Sequence, residues 1–441
     1  MRFCVIFSLL VLFQMRVLGQ SGFQFESDRE KVTIPFQLIN NLIFIPIKVN
    51  GIELNFLLDS GVEETILLSL EDKAEVRFNN VKKIKLRGLG DNIAIEGLKS
   101  SNNMLSFDGL TDRNHDVYIV LDQDFNFSSH IGIPVNGIIG YHFFKNNLVE
   151  INYSSKKVIV YKDNARLRKK IQKKFTAFPL SIERNKPYMQ ADVTLNNKEV
   201  NAKLLVDLGN SDAIWLFQND ENSINIPAKN FEDYLGRGFS GDINGYRAKI
   251  SKFKLYPFEF VEPIASFPNI VSIKSVSMVP DRLGSVGGEV LKRFNIIFDY
   301  PNGQMLLRKS RYYSDPFLYN MSGIELQNEG LQWVQETVKL VTVGNEVSFD
   351  NTGERTDNSF KYKFSLKPVF TIVSVRKNSP AEACGLKAGD LVLTINGTEA
   401  YRHTLQSINN LLKSEEGKWF NFKVERNGKE LQLTFQLKSV L

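Results

Sequence analysis

Runs of apolar residues predict short β-strands along most of the chain. Leu42 to Val49 and Ile52 to Leu58 are two such runs, and Asn50-Gly51 separates them. Asn-Gly between apolar runs is a strong signal for a two-residue hairpin. The second run leads directly into Asp59, so this acid is predicted to lie where a buried strand ends.

The second half of the chain repeats this plan. Met189 to Leu195 and Val200 to Val206 flank a turn predicted at Asn196-Asn197. The second of these runs leads into Asp207. The first half contains the motif Leu57-Leu58-Asp59-Ser60-Gly61, and the second half contains the similar motif Leu205-Val206-Asp207-Leu208-Gly209. The second acid lies 148 positions after the first (207 minus 59).

The same offset relates further landmarks, which indicates an internal duplication. These landmarks are Gly88 and Gly90 with Gly236 and Gly238, and Gly140 with Gly288. Each half is therefore predicted to be an all-β lobe of many short strands. The duplication predicts that two carboxylates, one from each lobe, come together in one site.

The pattern changes near Gly323, where the repeat ends. Phe370 to Val375 and Leu391 to Ile395 read as strands, and Ser379-Pro380 reads as a helix start. Thr404 to Lys413 is predicted to be an amphipathic helix. The end of the chain is therefore predicted to be a smaller domain of strands and helices.

The predicted fold class is mainly β, with a duplicated bilobal unit and a C-terminal α+β domain. The predicted divisions are a signal peptide at 1–19, an N-terminal lobe at 25–165, a basic connector at 166–176, a C-terminal lobe at 177–313 and the smaller domain at 323–441. A length of 441 residues gives each unit room for its own core.

The N-terminus has the three parts of a secretory signal peptide: Met1-Arg2, the apolar run Phe3 to Phe13, and the small exit residue Gly19. A membrane anchor is the alternative, but the run is shorter than the roughly 20 residues that span a bilayer. We expect export to the periplasm or the extracellular space, with no transmembrane segment in the mature chain.

Composition excludes several function classes. The formal charge is +6, and the one dense basic run lies in the connector, so no nucleic-acid partner is expected. The four His residues show no metal-ligand spacing. Cys384 is the one cysteine outside the signal peptide, and we interpret it as a structural thiol. We expect no metal and no cofactor.

Two carboxylates within hydrogen-bond distance share one proton, because both cannot ionise cheaply. The ionised acid can accept a proton from water while the protonated acid polarises a carbonyl group. Gly61 and Gly209 let the chain turn tightly after each acid, so that a backbone N–H can hold the carboxylate. Asp59 and Asp207 are therefore the candidate catalytic residues, with Ser60 and the two glycines as their support.

Asp59-Ser60-Gly61 together with the downstream Ile138-Ile139-Gly140 resembles the retropepsin-type aspartic protease pattern. The C-terminal segment resembles a bacterial PDZ domain in Ser379-Pro380-Ala381, Gly385-Leu386, Gly389-Asp390 and Ile395-Asn396-Gly397. Together these motifs resemble bacterial exported aspartyl proteases that carry a C-terminal PDZ domain.

This resemblance implies a pepsin-like cleft that binds an extended peptide or unfolded protein, with Asp59 and Asp207 as the catalytic pair. It also implies flap-like loops at Gly88 and Gly90 and at Gly236 and Gly238, for which ordinary hairpin turns are the alternative. Such a PDZ domain binds a peptide ligand, and Lys367-Pro368-Val369-Phe370 is the candidate binding loop.

Leu208 departs from the family pattern, in which Thr or Ser normally stands between Asp and Gly. The loss of one buried hydroxyl costs on the order of 1 kcal/mol. The chain is therefore predicted to be an aspartic endopeptidase, with a weakly active or inactive peptide-binding scaffold as the alternative. Because one chain supplies both acids, we expect a monomer rather than a dimer that pairs lobes between chains.

Overall fold

The structure is a computed structural model that describes residues 22–68, 70, 76–86, 95–121, 127–238, 241–273, 278–339, 348–349, 355–356 and 360–441. The first lobe, residues 22–161, contains β1 (Gln24–Phe25), β2 (Lys31–Pro35), β3 (Gln37–Ile39), β4 (Leu42–Val49), β5 (Ile52–Leu58), β6 (Thr65–Leu67), β7 (Lys82–Leu86), β8 (Ile95–Phe107), β9 (Leu110–Val120), α1 (Phe127–Ile131), β10 (Gly137–Ile139), α2 (Tyr141–Phe144), β11 (Leu148–Asn152) and β12 (Lys157–Tyr161).

Helix α3 (Ala165–Gln172) leads into the second lobe, residues 173–318. This lobe contains β13 (Thr176–Pro179), β14 (Ser181–Glu183), β15 (Lys186–Leu195), β16 (Lys198–Val206), β17 (Ile214–Leu216), β18 (Asn230–Gly238), β19 (Gly241–Lys249), β20 (Lys252–Leu255), β21 (Phe258–Val261), β22 (Ile264–Pro268), α4 (Ile270–Ile273), β23 (Arg282–Val286), α5 (Gly288–Leu291), β24 (Phe294–Asp299), a 3-10 turn (Tyr300–Asn302) and β25 (Gln304–Lys309).

The C-terminal domain, residues 319–441, completes the chain. It contains β26 (Ile324–Lys339), β27 (Ser348–Phe349), β28 (Arg355–Thr356), β29 (Phe360–Val375), α6 (Pro380–Ala383), β30 (Leu391–Ile395), β31 (Thr398–Glu399), a 3-10 turn (Ala400–Arg402), α7 (Leu405–Leu412), β32 (Trp419–Arg426) and β33 (Lys429–Gln436). The protein is therefore mainly β, as predicted.

The predicted hairpins form through their Asn turns. Asn50 and Gly51 adopt φ values of 48° and 91° between β4 and β5, and Asn196 and Asn197 adopt 48° and 61° between β15 and β16. Two consecutive left-handed residues match the twist of the flanking strands. Each hairpin then delivers its second strand to the middle of its lobe's sheet.

A six-stranded antiparallel sheet joins the two lobes in the order β13-β25-β24-β11-β12-β2. Each lobe supplies three of these strands, and β11 pairs with β24 at the centre through Val149–Phe298 and Ile151–Ile296. One continuous apolar core extends through both lobes. The two lobes are therefore fixed relative to each other by shared packing, which holds the two acid-bearing strands in place.

The predicted connector contains α3. Asn164 caps this helix by accepting the Leu167 N–H, and Ile171 is buried. Arg168 binds the buried carboxylate of Asp299 at 2.8 Å, so one residue of the basic run is tied to the central sheet. In the described part of the chain, no helix is long and apolar enough to cross a bilayer.

The C-terminal domain has its own core. Its helix α7 begins at the predicted position, where Thr404 and Ser407 form a capping box. Asp390 of the Gly-Asp motif is fully buried and accepts two hydrogen bonds from Arg426. The motif thus anchors β32 to the preceding turn.

The candidate binding loop at Lys367, Pro368, Val369 and Phe370 requires correction. These residues lie inside β29, where they pair with Gln332, Leu331, Gly330 and Asn328 of β26. Pro368 is tolerated there although it lacks a backbone N–H. The segment is a strand and not a loop.

Candidate active site

Asp59 and Asp207 occupy equivalent positions at the ends of two central strands. The backbone N–H of Asp59 donates to the Ile139 carbonyl oxygen at 2.9 Å, and that of Asp207 donates to the Val286 carbonyl oxygen at 2.9 Å. In each lobe this bond continues a parallel strand pair, β5 with β10 and β16 with β23. The two acids are thus placed by the same local architecture.

The two carboxyl groups hydrogen-bond to each other. The Gly61 N–H donates to Asp59 Oδ1 at 2.7 Å, and the Gly209 N–H donates to Asp207 Oδ1 at 3.1 Å. A Cβ added at Gly61 would lie 2.9 Å from Asp207 Oδ1, and one at Gly209 would lie 2.6 Å from Asp59 Oδ1. Glycine is required at both positions because the opposite carboxylate fills the space.

Burial and the charge of Asp207 raise the pKa of Asp59 to about 8. Burial also raises the pKa of Asp207, but the positive charges of Arg282 and Lys186 oppose this effect. The pair therefore shares one proton at neutral pH, with Asp59 as the protonated member. This is the charge state that general acid–base chemistry on water and a carbonyl group requires.

Ser60 crosses between the lobes below the acids. Its hydroxyl donates to the Val206 carbonyl oxygen at 2.6 Å and accepts the Leu208 N–H at 3.0 Å. Leu208 offers no hydroxyl in return, and its side chain is 1% exposed within the apolar core. One half of a symmetric hydrogen-bond network is therefore present, and apolar packing replaces the other half.

We expect Leu208→Thr to raise the rate of any reaction at the acid pair, because a hydroxyl there can accept the Ser60 N–H and so stiffen the site. Leu208→Val is the matched control, since Val has nearly the shape of Thr without its hydroxyl. Thr should exceed Val in the free energy of unfolding by about 1 kcal/mol, measured by urea titration. Equal rates and stabilities in Thr and Val variants would contradict this role.

The glycine landmark near the end of each lobe needs a corrected register. Gly140 precedes α2 and follows Ile139, whose carbonyl oxygen accepts the Asp59 N–H. In the same way, Gly287 precedes α5 and follows Val286, whose carbonyl oxygen accepts the Asp207 N–H. Gly287, and not Gly288, is therefore the structural counterpart of Gly140. The second half is one residue shorter between its acid and this glycine.

A cavity of about 780 Å³ lies above the acid pair. The hairpin of β18 and β19 lines it with Gly236 and Gly238, and Gly236 has a φ of 138°. The counterparts Gly88 and Gly90 lie outside the described residues. A flap-like position is thus observed for the hairpin of the second lobe.

Asp212 also faces the cavity, but its carboxylate is occupied by hydrogen bonds within the protein. It accepts hydrogen bonds from Arg247, Trp215 and Ser266, each at 2.8 Å. Burial would raise its pKa, but the charge of Arg247 and the three hydrogen bonds together outweigh burial and hold the pKa of Asp212 below its ordinary value. Arg247 binds Asp233 of the hairpin as well, at 2.7 Å.

The C-terminal domain closes one side of the cavity, which the sequence did not predict. Arg376 lies 3.5 Å from Asp233 of the hairpin and stacks over Phe231 at 4.2 Å. Glu325 and Lys413 of this domain line the cavity. Burial and the charge of Asp233 raise the pKa of Glu325 to about 7. A chain of charges therefore connects the acid-bearing loop, the hairpin and the C-terminal domain.

Within the described residues, no group of three or more His, Cys, Asp or Glu side chains is arranged to hold a metal ion. The residues that sequence reasoning missed are Lys186 and Arg282, which lie beside Asp207. Neither belongs to a motif, and the duplication gives no signal for them because their counterparts in the first lobe are uncharged.

Comparisons with known proteins agree with this geometry. Residues 45–143 match the family model of an aspartyl protease, and residues 371–426 match the family model of a PDZ domain. Two separate segments of the chain are thus similar to an aspartyl protease domain and to a PDZ domain. The family match to the aspartyl protease covers the lobe that carries Asp59.

No curated protein matches the chain. Among solved structures, it is similar to the crystal structure of the aspartic proteinase from Irpex lacteus. The sequence identity is 11% and the TM-score 0.39, and the match covers 65% of this chain and 99% of that chain.

Proposed function

We propose that the protein is an aspartic endopeptidase. The observation that carries this proposal is the hydrogen-bonded pair of Asp59 and Asp207 at the floor of a cavity large enough for several residues of an extended peptide. Asp207 removes a proton from a water molecule, and Asp59 donates its proton to the carbonyl oxygen of the scissile bond. The reaction then proceeds through a tetrahedral intermediate without a covalent bond to the enzyme.

The pH dependence provides a direct test. Because the pKa of Asp59 is raised to about 8, Asp59 stays protonated up to about pH 8. Hydrolysis of a denatured protein should therefore continue across neutral pH and fall as Asp59 ionises. A series from pH 3 to pH 9, with and without a transition-state-mimicking aspartic-protease inhibitor, measures this. Cleavage that the inhibitor does not affect would contradict the proposal.

We further propose that the chain acts as a monomer after export from a bacterial cell. The monomer is supported by the presence of both acids in one chain, and export is supported by the apolar N-terminal run. Residues 1–21 lie outside the described residues. Sedimentation of the mature chain, together with N-terminal sequencing of secreted material, tests both points.

For the PDZ domain we propose peptide binding at the edge of β26. This strand lies at the end of its sheet, where it pairs with β29, and both α1 of the first lobe and α7 pack near it. An edge strand beside a helix can accept an extended peptide as an additional strand, and backbone N–H groups can capture its terminal carboxylate. The groove opens into the catalytic cavity, since Leu326 of β26 and Asn409 of α7 both line it.

The N–H groups at the start of this groove are occupied by the protein itself. Asn320 Oδ1 accepts the N–H groups of Ser322 at 3.0 Å and Gly323 at 3.2 Å, and Asn320 Nδ2 donates to the Ile324 carbonyl oxygen at 2.7 Å. The Asn320 amide thus stands where a bound peptide would place its terminal group.

We expect Asn320→Ala to increase the affinity for a peptide with a free hydrophobic C-terminus by about tenfold, the equivalent of one or two net hydrogen bonds. Fluorescence anisotropy with a labelled peptide measures this. Asn320→Ala should leave the affinity for the same peptide with an amidated C-terminus unchanged. Exposed Asn410 of α7 provides the control variant Asn410→Ala. Equal gains for both peptides would argue against carboxylate capture.

A further inference from the structure

The two lobes differ in charge at matched positions beside the acids. In the β15–β16 ladder Tyr188 pairs with Leu205, and continuing that register places Lys186 opposite Asp207. In the β4–β5 ladder Phe44 pairs with Leu57, and the same continuation places Leu42 opposite Asp59. Lys186 and Leu42 both line the cavity. A lysine therefore flanks one acid where a leucine flanks the other.

Arg282 shows the same asymmetry. Arg282 pairs with Lys203 across a register shift between β16 and β23. The first-lobe equivalent of Lys203 is Asn55, which bonds Asn136, so the buried Asn136 is the counterpart of Arg282. The duplicated scaffold is thus uncharged at both positions in the first lobe and cationic at both in the second, so the lobe architecture by itself does not require the two cations.

The Arg282 guanidinium is held in a fixed orientation. Its Nε donates to the Gly284 carbonyl oxygen at 3.0 Å, its Nη2 donates to Ser285 Oγ at 2.8 Å, and the group stacks over Phe217 at 5.2 Å. All of these partners are neutral. Among the described residues, no carboxylate forms an ion pair with Arg282 or Lys186, although Glu63 lies near and binds Asn185 at 2.7 Å.

Two cations thus face one end of the cavity, where both interact electrostatically with Asp207. Among the described residues, neither forms an ion pair with Glu63 or Glu64, the carboxylates that also line this cavity. A desolvated guanidinium with free donors is well suited to bind a carboxylate.

We propose that Lys186 and Arg282 form a carboxylate-binding subsite beside Asp207, which selects peptides that carry an acidic group next to the scissile bond. This inference rests on the proposed peptidase function and names its substrate class. The carboxylate can come from an Asp or Glu side chain or from the end of the peptide chain, since the subsite binds the same chemical group in either case.

Binding of non-hydrolysable peptides to the full-length protein tests the subsite independently of turnover. Capped peptides with a reduced bond at the centre would carry Glu, Gln or Leu on either side of that bond, and a fourth peptide would end there in a free carboxylate. We expect the Glu peptide to bind about tenfold or more tightly than the Gln peptide. The fourth peptide shows whether a terminal carboxylate serves equally.

The preference for Glu over Gln should disappear in Arg282→Gln and decrease in Lys186→Gln, while exposed Lys198 of β16 provides the control Lys198→Gln. Binding of the Leu peptide monitors whether each variant retains its cleft. If the Leu peptide binds and Glu shows no advantage, or if the advantage survives in both variants, the subsite is refuted. If no peptide binds wild type, the proposed peptidase function fails and the subsite fails with it.

Discussion

Asp59→Asn and Asp207→Asn should each reduce peptide hydrolysis by about 10²- to 10⁴-fold, the usual contribution of a positioned general acid or base. The two losses should be similar because the acids act as one unit around a single proton. The test compares the initial rates of the two variants on a denatured protein substrate with that of Asp220→Asn. This control replaces an exposed aspartate of the lobe that carries Asp207. Full activity in either Asp59→Asn or Asp207→Asn would contradict the proposed mechanism.

Stability measurements separate loss of chemistry from loss of fold. The pKa of Asp59 rises from 3.8 to about 8 on folding, so the folded protein binds more protons than the unfolded chain between about pH 4 and pH 8. Stability therefore falls as pH rises through this window. Asp59→Asn removes the free-energy cost of ionising a buried carboxyl group. This variant should therefore unfold at a higher urea concentration than wild type at pH 8, although we expect it to be inactive.

The same variants distinguish the endopeptidase from the alternative of a peptide-binding scaffold. A scaffold would bind extended peptides with unchanged affinity in Asp59→Asn and would show no cleavage in wild type or in Leu208→Thr. An enzyme weakened by Leu208 would show measurable cleavage in wild type and more in Leu208→Thr. The hydroxyl at position 208 is thus a quantitative probe of how far the site has departed from full activity.

The parts of the fold predicted from sequence are those that local chemistry determines. Asn50-Gly51 and Asn196-Asn197 specify hairpin turns wherever they occur between apolar runs, and both turns form. The placement of Asp59 and Asp207 followed from repetition, since equivalent strands in duplicated lobes reach equivalent positions. The amphipathic pattern likewise predicted α7, and the structure shows that a capping box at Thr404 starts it.

The remaining features depend on contacts between distant segments, which no local pattern encodes. The packing of Arg376 against Phe231 and Asp233 joins parts of the chain more than 100 residues apart, so closure of the cavity by the PDZ domain was not predictable. The segment Lys367–Phe370 was misassigned because the resemblance to a PDZ domain implies a binding loop just before the strand predicted from Phe370, whereas pairing with β26 holds this segment in a longer strand. The mismatch of Gly140 with Gly288 arose from one residue of difference between the lobes.

The asymmetry between the lobes has a functional consequence beyond substrate choice. Lys186 and Arg282 lower the pKa of Asp207 but leave that of Asp59 subject to full burial, with only a weaker effect from Lys186. The pKa of Asp59 is therefore raised with less opposition from the cationic neighbours than that of Asp207, which agrees with the proposed role of Asp59 as the acid.

Gly140→Ala should produce the largest structural effect among single substitutions near the site. A Cβ at this position would overlap the Val62 carbonyl oxygen and lie 2.7 Å from that of Asp59. Both obstacles are backbone atoms in the turn that carries the acid, so they cannot move aside by changing a rotamer. We expect a loss of about 3 kcal/mol in the free energy of unfolding.

The same substitution should reduce activity by about 10²-fold, because a shift of about 1 Å in a catalytic group has this effect. Gly287→Ala should behave alike, since its Cβ would lie 2.7 Å from the Asn210 carbonyl oxygen in the matching turn. Asp220→Asn is again the control, because it replaces an exposed side chain of the second lobe. Wild-type stability and activity in Gly140→Ala would show that this turn does not position Asp59.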